Sequence, residues 1–295
     1  MAKVLISDPI STTGVQILEN SGIEVVNLPK AKKFGLKKII EQIDGIIVRS
    51  GTIVDKELIK KAKNLQVIAR AGVGIDNIDI TYATRKGIVV INTPDVNTIS
   101  AAEHTIALLL GLSRNLHIAH DKLINRQWGR HDLIGTELKN KIIGVVGLGK
   151  IGREVITRCK SFGMKIIGYD PYVNEKNFEK EEIEILDLDS VIKSADYITL
   201  HIPLNDSTKN LFNYSNLKKM KPTARIINVA RGGIINEADL AKVLNDSTIA
   251  GAAVDVFSTE PLEDGNPLLS AKNILLSPHL GASTSEAKEG VSKLI

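Results

Sequence analysis

The sequence has 295 residues, 43% of them hydrophobic and 24% charged, which is enough chain for two domains with sizeable cores and ordinary for a soluble globular protein. The 38 basic and 34 acidic residues leave a formal net charge of +4, and with no dense basic stripe that balance argues against nucleic acid as a partner. The single cysteine, Cys159, excludes an internal disulfide framework; no signal peptide and no bilayer-length apolar run is present, so a cytoplasmic setting away from membranes is expected.

Up to Ile91 the chain alternates short apolar strands with helical patterns. Strands are expected at Val4–Ser7, Glu24–Asn27, Ile46–Arg49, Val67–Ala69 and Ile88–Ile91. Helices are expected at Thr13–Asn20, Leu36–Gln42, Asp55–Lys63, with Asp55 as N-cap, and Ile80–Lys86. Repeated βα units imply a parallel sheet covered on both faces, whose ligands sit at the carboxyl ends of the strands. That draws attention to Arg49-Ser50-Gly51 and to Arg70-Ala71-Gly72-Val73-Gly74. Arg49 would hold an anion there or stand in a solvated loop, and the residues alone leave both open. Lys30, Lys32, Lys33, Lys37 and Lys38 read as a solvated face.

Asn92–Thr98 is turn chemistry. It opens a helix expected from Ser100 to His117, apolar on nearly all sides through AAEHTIALLLGL and therefore buried. His104 belongs to that packing. His117 and His120 would share an exposed polar face; without a third ligand they predict no metal site. Trp128, the only tryptophan, stands among Arg126, Arg130 and His131, either as an interface anchor or as a local cap on the core.

From Lys141 to Arg153 the sequence reads KIIGVVGLGKIGR. Ile142 to Val146 suit a strand buried on both faces. Gly147, Gly149 and Gly152 follow in the spacing G-x-G-x-x-G, then the helical IGREVITRCKSF, then a second buried strand, Lys165–Tyr169, that ends on Asp170. Together these are a dinucleotide-binding pattern. Gly147 allows the tight turn, Gly149 lets backbone approach a pyrophosphate, and Gly152 lets helix and strand pack closely. The helix N-terminus offers free N–H groups to the phosphates, and Asp170 would accept hydrogen bonds from a ribose diol. Cys159, inside this helix, reads as a small core residue.

Further on, strands are expected at Tyr197–His201, Arg225–Val229, Ile249–Val256 and Ile274–Ser277. Helices are expected at Asp187–Ser194, Tyr214–Lys219 and Glu237–Asn245, the last capped by Asn236. At least six strands therefore make up this half. Arg231, Glu260 and His279 each follow a strand and would converge on the edge where the cofactor lies. An arginine fork suits a carboxylate, histidine suits proton transfer near neutral pH, and a carboxylate on its second ring nitrogen would fix the tautomer. Singly, each has a structural reading: salt bridge, solvated acid and capped turn.

GLGKIG, NVARGG, DVFSTEP and SPHLGAST together resemble the D-isomer-specific 2-hydroxyacid dehydrogenase family. VRSGT, RAGVGIDNID, NTPDVNTISAAEHT and HLGAST are most similar to its D-3-phosphoglycerate dehydrogenases. The resemblance implies oxidation of 3-phosphoglycerate to 3-phosphohydroxypyruvate with NAD, toward L-serine. It implies Arg231 on the substrate carboxylate and reacting oxygen, His279 as acid/base and Glu260 as its partner. Around NAD it places Gly147, Gly149, Lys150, Ile151 and Gly152 at the pyrophosphate and Asp170 at the ribose. Asp255 would lie near the nicotinamide amide, with Val73, Ile202, Val229, Gly281 and Ala282 as further contacts. Arg49, Ser50, Gly74 and Asn97 match the substrate loops, with the phosphate near Arg49. Trp128 and Arg130 resemble an arm reaching into a second subunit, implying a homodimer or homotetramer.

The family's topology also implies two doubly wound parallel-sheet domains with a cleft between them. A flavodoxin-like substrate domain would comprise residues 1–97 and 283–295, and a Rossmann NAD-binding domain residues 98–282. No C-terminal regulatory domain is expected. Two other readings stand beside this one: a reductase for hydroxypyruvate, glyoxylate or another D-2-hydroxy acid, and an NAD-sensing binding protein like the C-terminal-binding corepressors.

Overall fold

The computed structural model describes residues 1–28, 33–173 and 183–295, except the side chains of residues 33 and 34. Of the expected lysine face, Lys30, Lys32 and the Lys33 side chain lie outside the described residues, while Lys38 is exposed. The chain divides into two compact units, Met1–Asn97 with Ala282–Ile295, and Thr98–Gly281. Ala282, expected at the end of the NAD-binding domain, belongs instead with the first unit.

In the first unit β1 (Lys3–Ile6), β2 (Glu24–Asn27), β3 (Gly45–Val48), β4 (Val67–Arg70) and β5 (Val89–Asn92) alternate with α1 (Thr12–Asn20), α2 (Lys33–Ile39), α3 (Lys56–Lys61) and α4 (Ile80–Arg85). The strands pair in parallel in the order β2-β1-β3-β4-β5, the flavodoxin-like arrangement. All four residues of β3 are buried, as expected of a central strand covered on both faces. The predicted cap forms: Asp55 Oδ1 accepts from the Leu58 N–H at 2.8 Å.

The second unit begins with α5 (Thr98–Ser113). The sequence predicts one helix through to His117, but α5 stops at Ser113. Asn115 adopts left-handed backbone (φ 54°), and a separate helix, α6 (Leu116–Ile124), starts from it. Asparagine enters that region at low cost, so the helical periodicity runs on across a real break. His117 does not present a polar face either. Both its ring nitrogens are closed off without a hydrogen-bond partner among the described residues, and burial pushes its pKa down.

Seven parallel strands follow: β6 (Ile142–Val146), β7 (Lys165–Tyr169), β8 (Glu184–Ile185), β9 (Tyr197–Leu200), β10 (Arg225–Asn228), β11 (Gly251–Val254) and β12 (Ile274–Leu276). Their order is β12-β11-β10-β9-β6-β7-β8, which is the dinucleotide-fold order with one further strand at the edge. The two-residue β8 was too short for periodicity to show it. The helices between them are α7 (Lys150–Ser161), α8 (Leu188–Ser194), α9 (Tyr214–Leu217) and α10 (Glu237–Asn245). Strand order reverses between β6 and β9, so the glycine loop after β6 stands at the switch point, where such sheets bind ligands. Ala102, Ile106, Leu109 and Leu112 of α5 share a core with Val155, Ile156 and Cys159 of α7. Burial raises the Cys159 thiol to about 12, in keeping with a packing role.

The last helix, α11 (Ser285–Leu294), returns to the first unit and packs on α1. Ser292 Oγ accepts from the Ser11 N–H at 2.8 Å, and Gly14 sits so close that a Cβ there would meet the Ser292 carbonyl at 2.6 Å. Among the described residues no helix is long and apolar enough to cross a membrane.

Asp55→Ala removes the α3 cap and should cost about 1 kcal/mol. The result would be a lower urea midpoint for the unfolding of the first unit; an unchanged midpoint would show the cap to be idle.

Candidate active site

The glycine loop is shaped by contacts that only glycine tolerates. Gly147 has φ 99°, and a Cβ there would meet the His201 carbonyl oxygen at 2.5 Å and the Ile202 side chain at 2.9 Å. A Cβ on Gly152 would collide with the Gly147 carbonyl. Gly149 differs: nothing lies within 4 Å of where its Cβ would be. Its missing side chain leaves open space directly before α7, and no side chain caps that helix. The first N–H groups of α7, those of Lys150, Ile151 and Gly152, have no partner within the helix. This is a cradle suited to a phosphate.

Asp170 sits just past β7. Its Oδ2 accepts from the Leu148 N–H at 2.9 Å and its Oδ1 from the Tyr172 N–H at 3.0 Å. The carboxylate is tied to the glycine loop, and each oxygen keeps a lone pair for a diol. The residues present therefore fit a dinucleotide.

Beyond β10 and β11 the backbones touch. Gly232 lies against the Phe257 carbonyl so closely that a Cβ would overlap it. Arg231, one residue earlier, is steadied at its own carbonyl by Asn228 Nδ2 at 2.9 Å. Its guanidinium Nη1 donates to the Ala230 carbonyl at 2.6 Å. Three residues past Phe257, Glu260 accepts from the Phe257 N–H at 3.0 Å through Oε1. Its other oxygen, Oε2, is 2.6 Å from His279 Nδ1. Burial pushes the Glu260 carboxyl up, but the bonds from His279 and Phe257 outweigh it and the net shift is down. A carboxylate can only accept, so Nδ1 carries the proton, and in the neutral ring Nε2 is left as an acceptor. The pair is partly open, with side-chain exposures of 40% for His279 and 33% for Glu260. Burial pushes the other histidine of this unit's strand ends, His201, down to about 3, and its Nε2 lies 2.9 Å from Thr199 Oγ1.

His279 adopts left-handed backbone (φ 54°). Its turn is held by Asp255, which has no exposed surface. Asp255 Oδ1 accepts from the Leu280 N–H (2.8 Å) and Ser277 Oγ (2.6 Å), and lies 3.1 Å from His104 Nε2; Oδ2 accepts from the Gly281 N–H at 2.9 Å. The Asp255 carbonyl accepts from the His279 N–H at 2.7 Å. Val229 packs at the same point, 2.9 Å from where a Gly281 Cβ would be. Burial raises the Asp255 carboxyl, yet the donors, His104 first, hold it below the usual range.

In the first unit Asp8, just past β1, organises the loop after β3. Its Oδ2 accepts from the N–H groups of Arg49 (2.6 Å) and Thr52 (3.0 Å). Asn77 Nδ2 donates to the Arg49 and Thr52 carbonyls at 2.7 and 2.6 Å. Arg49 lines a pocket of about 340 Å³ with Ser11, Lys288 and Ser292. Neither cation has a side-chain partner among the described residues. Ser50 is exposed beside Arg49. Val73 and Gly74 follow β4, the Val73 carbonyl accepting from Asn92 Nδ2 at 2.7 Å. Asn97 Oδ1 is buried with no hydrogen-bond partner among the described residues. Neither Lys288 nor Asp8 stands in a motif that marks it in the sequence. Lys288 looks like one more charge on an amphipathic helix, although its place in the helix that returns to the first unit was a usable signal.

Trp128 is not a cap on the core: it is 76% exposed. None of the nine residues of α6 is buried, although Leu116, Leu123 and Ile124 are apolar.

The family model described as D-isomer specific 2-hydroxyacid dehydrogenase, NAD binding domain, matches residues 106–281. A D-3-phosphoglycerate dehydrogenase of Synechocystis sp. is 45% identical over 99% of this chain, and the match covers 52% of that relative. The chain spans about half the length of the curated relatives it matches. Among solved structures, a protein of Thermus thermophilus superposes with a TM-score of 0.91 at 31% identity, covering 99% of this chain and 94% of that one. The NAD-dependent formate dehydrogenase of Staphylococcus aureus, solved with NAD, gives 0.89 at 28% identity, with 99% and 92% covered.

Asp255→Ala orphans His104 and the Leu280 and Gly281 N–H groups, and should lower stability at neutral pH by about 3 kcal/mol. In the wild type a depressed native carboxyl means stability is full above the ordinary carboxylate range and lost as pH falls through the native pKa. Denaturant midpoints measured down the acid limb should therefore fall steeply for the wild type and less for Asp255→Asn. Parallel acid limbs would show that Asp255 is not a linked group.

Proposed function

Because the chain belongs to the D-isomer specific 2-hydroxyacid dehydrogenase family, we propose that it oxidises 3-phosphoglycerate to 3-phosphohydroxypyruvate with NAD. The observation that carries the chemistry is the His279–Glu260 pair on the sheet edge that also bears the glycine loop. NAD, when bound, supplies the acceptor for the hydride leaving the substrate carbon. The loop from Gly147 to Gly152 would hold its pyrophosphate and Asp170 its ribose; the Asp170 charge opposes a 2′-phosphate and so favours NAD over NADP. Arg231 would hold the substrate carboxylate and hydroxyl oxygen. His279 Nε2 takes the hydroxyl proton as the carbonyl forms, and Glu260 on Nδ1 stabilises the resulting imidazolium. Asp255, closed from solvent, supports this as the anchor of the His279 turn.

Phosphate recognition rests on Arg49 and Lys288, two cations lining one pocket beside two serines. An unphosphorylated hydroxy acid needs neither. This favours phosphoglycerate over the hydroxypyruvate or glyoxylate alternative, and the paired His279 and Glu260 favour turnover over NAD sensing. The apolar side chains displayed by α6 and Trp128 fit a homodimer, with Trp128 and Arg130 on the contact.

His279→Ala should lower turnover by about 10²–10⁴-fold while NADH fluorescence titrations stay unchanged; full turnover would remove the histidine from the chemistry. Arg49→Ala and Lys288→Ala should each cost on the order of tenfold or more on 3-phosphoglycerate and little on D-glycerate. Equal losses on both substrates would contradict the phosphate role. Sedimentation should show a dimer that Ile124→Asp combined with Trp128→Ala splits, whereas a monomeric wild type would contradict the interface.

A further inference from the structure

The turn from Ser277 to Gly281 that carries His279 is fastened by α5 as well as by its own sheet. Ser100 Oγ, in the first turn of α5, donates to the Gly281 carbonyl at 2.8 Å. One turn further along, His104 Nε2 lies 3.1 Å from Asp255 Oδ1 and 3.2 Å from Ser277 Oγ. Asp255 is fully closed from solvent and His104 is 19% exposed at its side chain. A buried carboxylate must be supplied with donors, and three of those here converge on Oδ1, from Leu280, Ser277 and His104. The Leu280 and Gly281 N–H groups and Ser277 supply donors from the turn itself, and His104 supplies the one from the helix. Without it nothing on α5 fixes the carboxylate, and the carboxylate is what pins the two amides next to His279. His279 sits in left-handed backbone, a conformation a non-glycine residue keeps only when its surroundings over-determine it.

We propose that His104 is a positioning residue: through Asp255 it sets the turn that aims His279 at its substrate. This rests on the dehydrogenase reading, in which His279 is the acid/base. His104 touches neither Glu260 nor His279, so its effect is on the geometry of the proton transfer rather than on the transfer itself. Displacing the reacting ring by about 1 Å is enough to slow the chemistry, while the phosphate cradle of the glycine loop is untouched.

The test compares His104→Leu, which removes the donor, with His104→Gln, whose amide can still donate to Asp255. In His104→Leu, kcat should fall about 10–100-fold, with KM for NAD within about twofold; His104→Gln should recover most of the loss. A His104→Leu enzyme with wild-type kcat, or a His104→Gln enzyme as slow as His104→Leu, would overturn the proposal. The ring ¹H–¹⁵N correlations of His279 give a second readout that needs no turnover. They should be displaced in His104→Leu and restored in His104→Gln, and unchanged signals in both would overturn the proposal too. A wild type that turns over no 2-hydroxy acid would sink the dehydrogenase reading while leaving this measurement interpretable.

Discussion

One carboxylate with no exposed surface holds together the edge of the second unit that bears His279. Asp255 ends β11, and its oxygens gather Ser277, Leu280 and Gly281 from the segment after β12, together with His104 from α5. Burying an ion is costly unless it is well supplied with donors, and here they come both from the turn and from α5. The arrangement converts a flexible strand-to-helix connection into a fixed turn. His279 stands in that turn, and its Nδ1 reaches Glu260 at 2.6 Å. Loosening Asp255 would move His279 away from the carboxylate that orients its ring.

The first unit uses the same device. Asp8, 8% exposed just past β1, takes the amides of Arg49 and Thr52 and so holds the loop after β3. In each unit a carboxylate beyond one strand pins the loop beyond its neighbour, which bears the residue proposed to meet substrate. Parallel sheets favour this because all strand ends on one edge point the same way, so an acid on one strand can reach amides on the next. Glycines complete the work where backbones must touch, at Gly147, Gly152 and Gly232.

What the sequence revealed follows from the range of each interaction. The glycine loop was legible because its constraints are local: strand, turn, helix and acid follow one another, and the two-sheet alternation is written in period and composition. Asp55 and Asn236 were legible as caps for the same reason. Arg231, Glu260 and His279 could be placed at strand ends, but that Glu260 meets Nδ1 of His279 is a matter of folded geometry. His104 was read as a packing residue since its neighbours in α5 are apolar; its partner lies 151 positions away. The end of α5 was missed because the left-handed Asn115 interrupts a pattern that stays helical in composition on both sides. Lys288 was hidden among the charges of α11 and gains meaning only from sharing a pocket with Arg49.

The central claim is that this chain couples a phosphorylated 2-hydroxy acid to NAD. The most direct measurement is the appearance of NADH absorbance when the wild-type protein is given NAD with 3-phosphoglycerate, beside a parallel reaction with D-glycerate at the same concentration. The account predicts NADH formation that is much faster with the phosphorylated acid. Equal or faster reaction with D-glycerate, or no NADH from either acid, would contradict it.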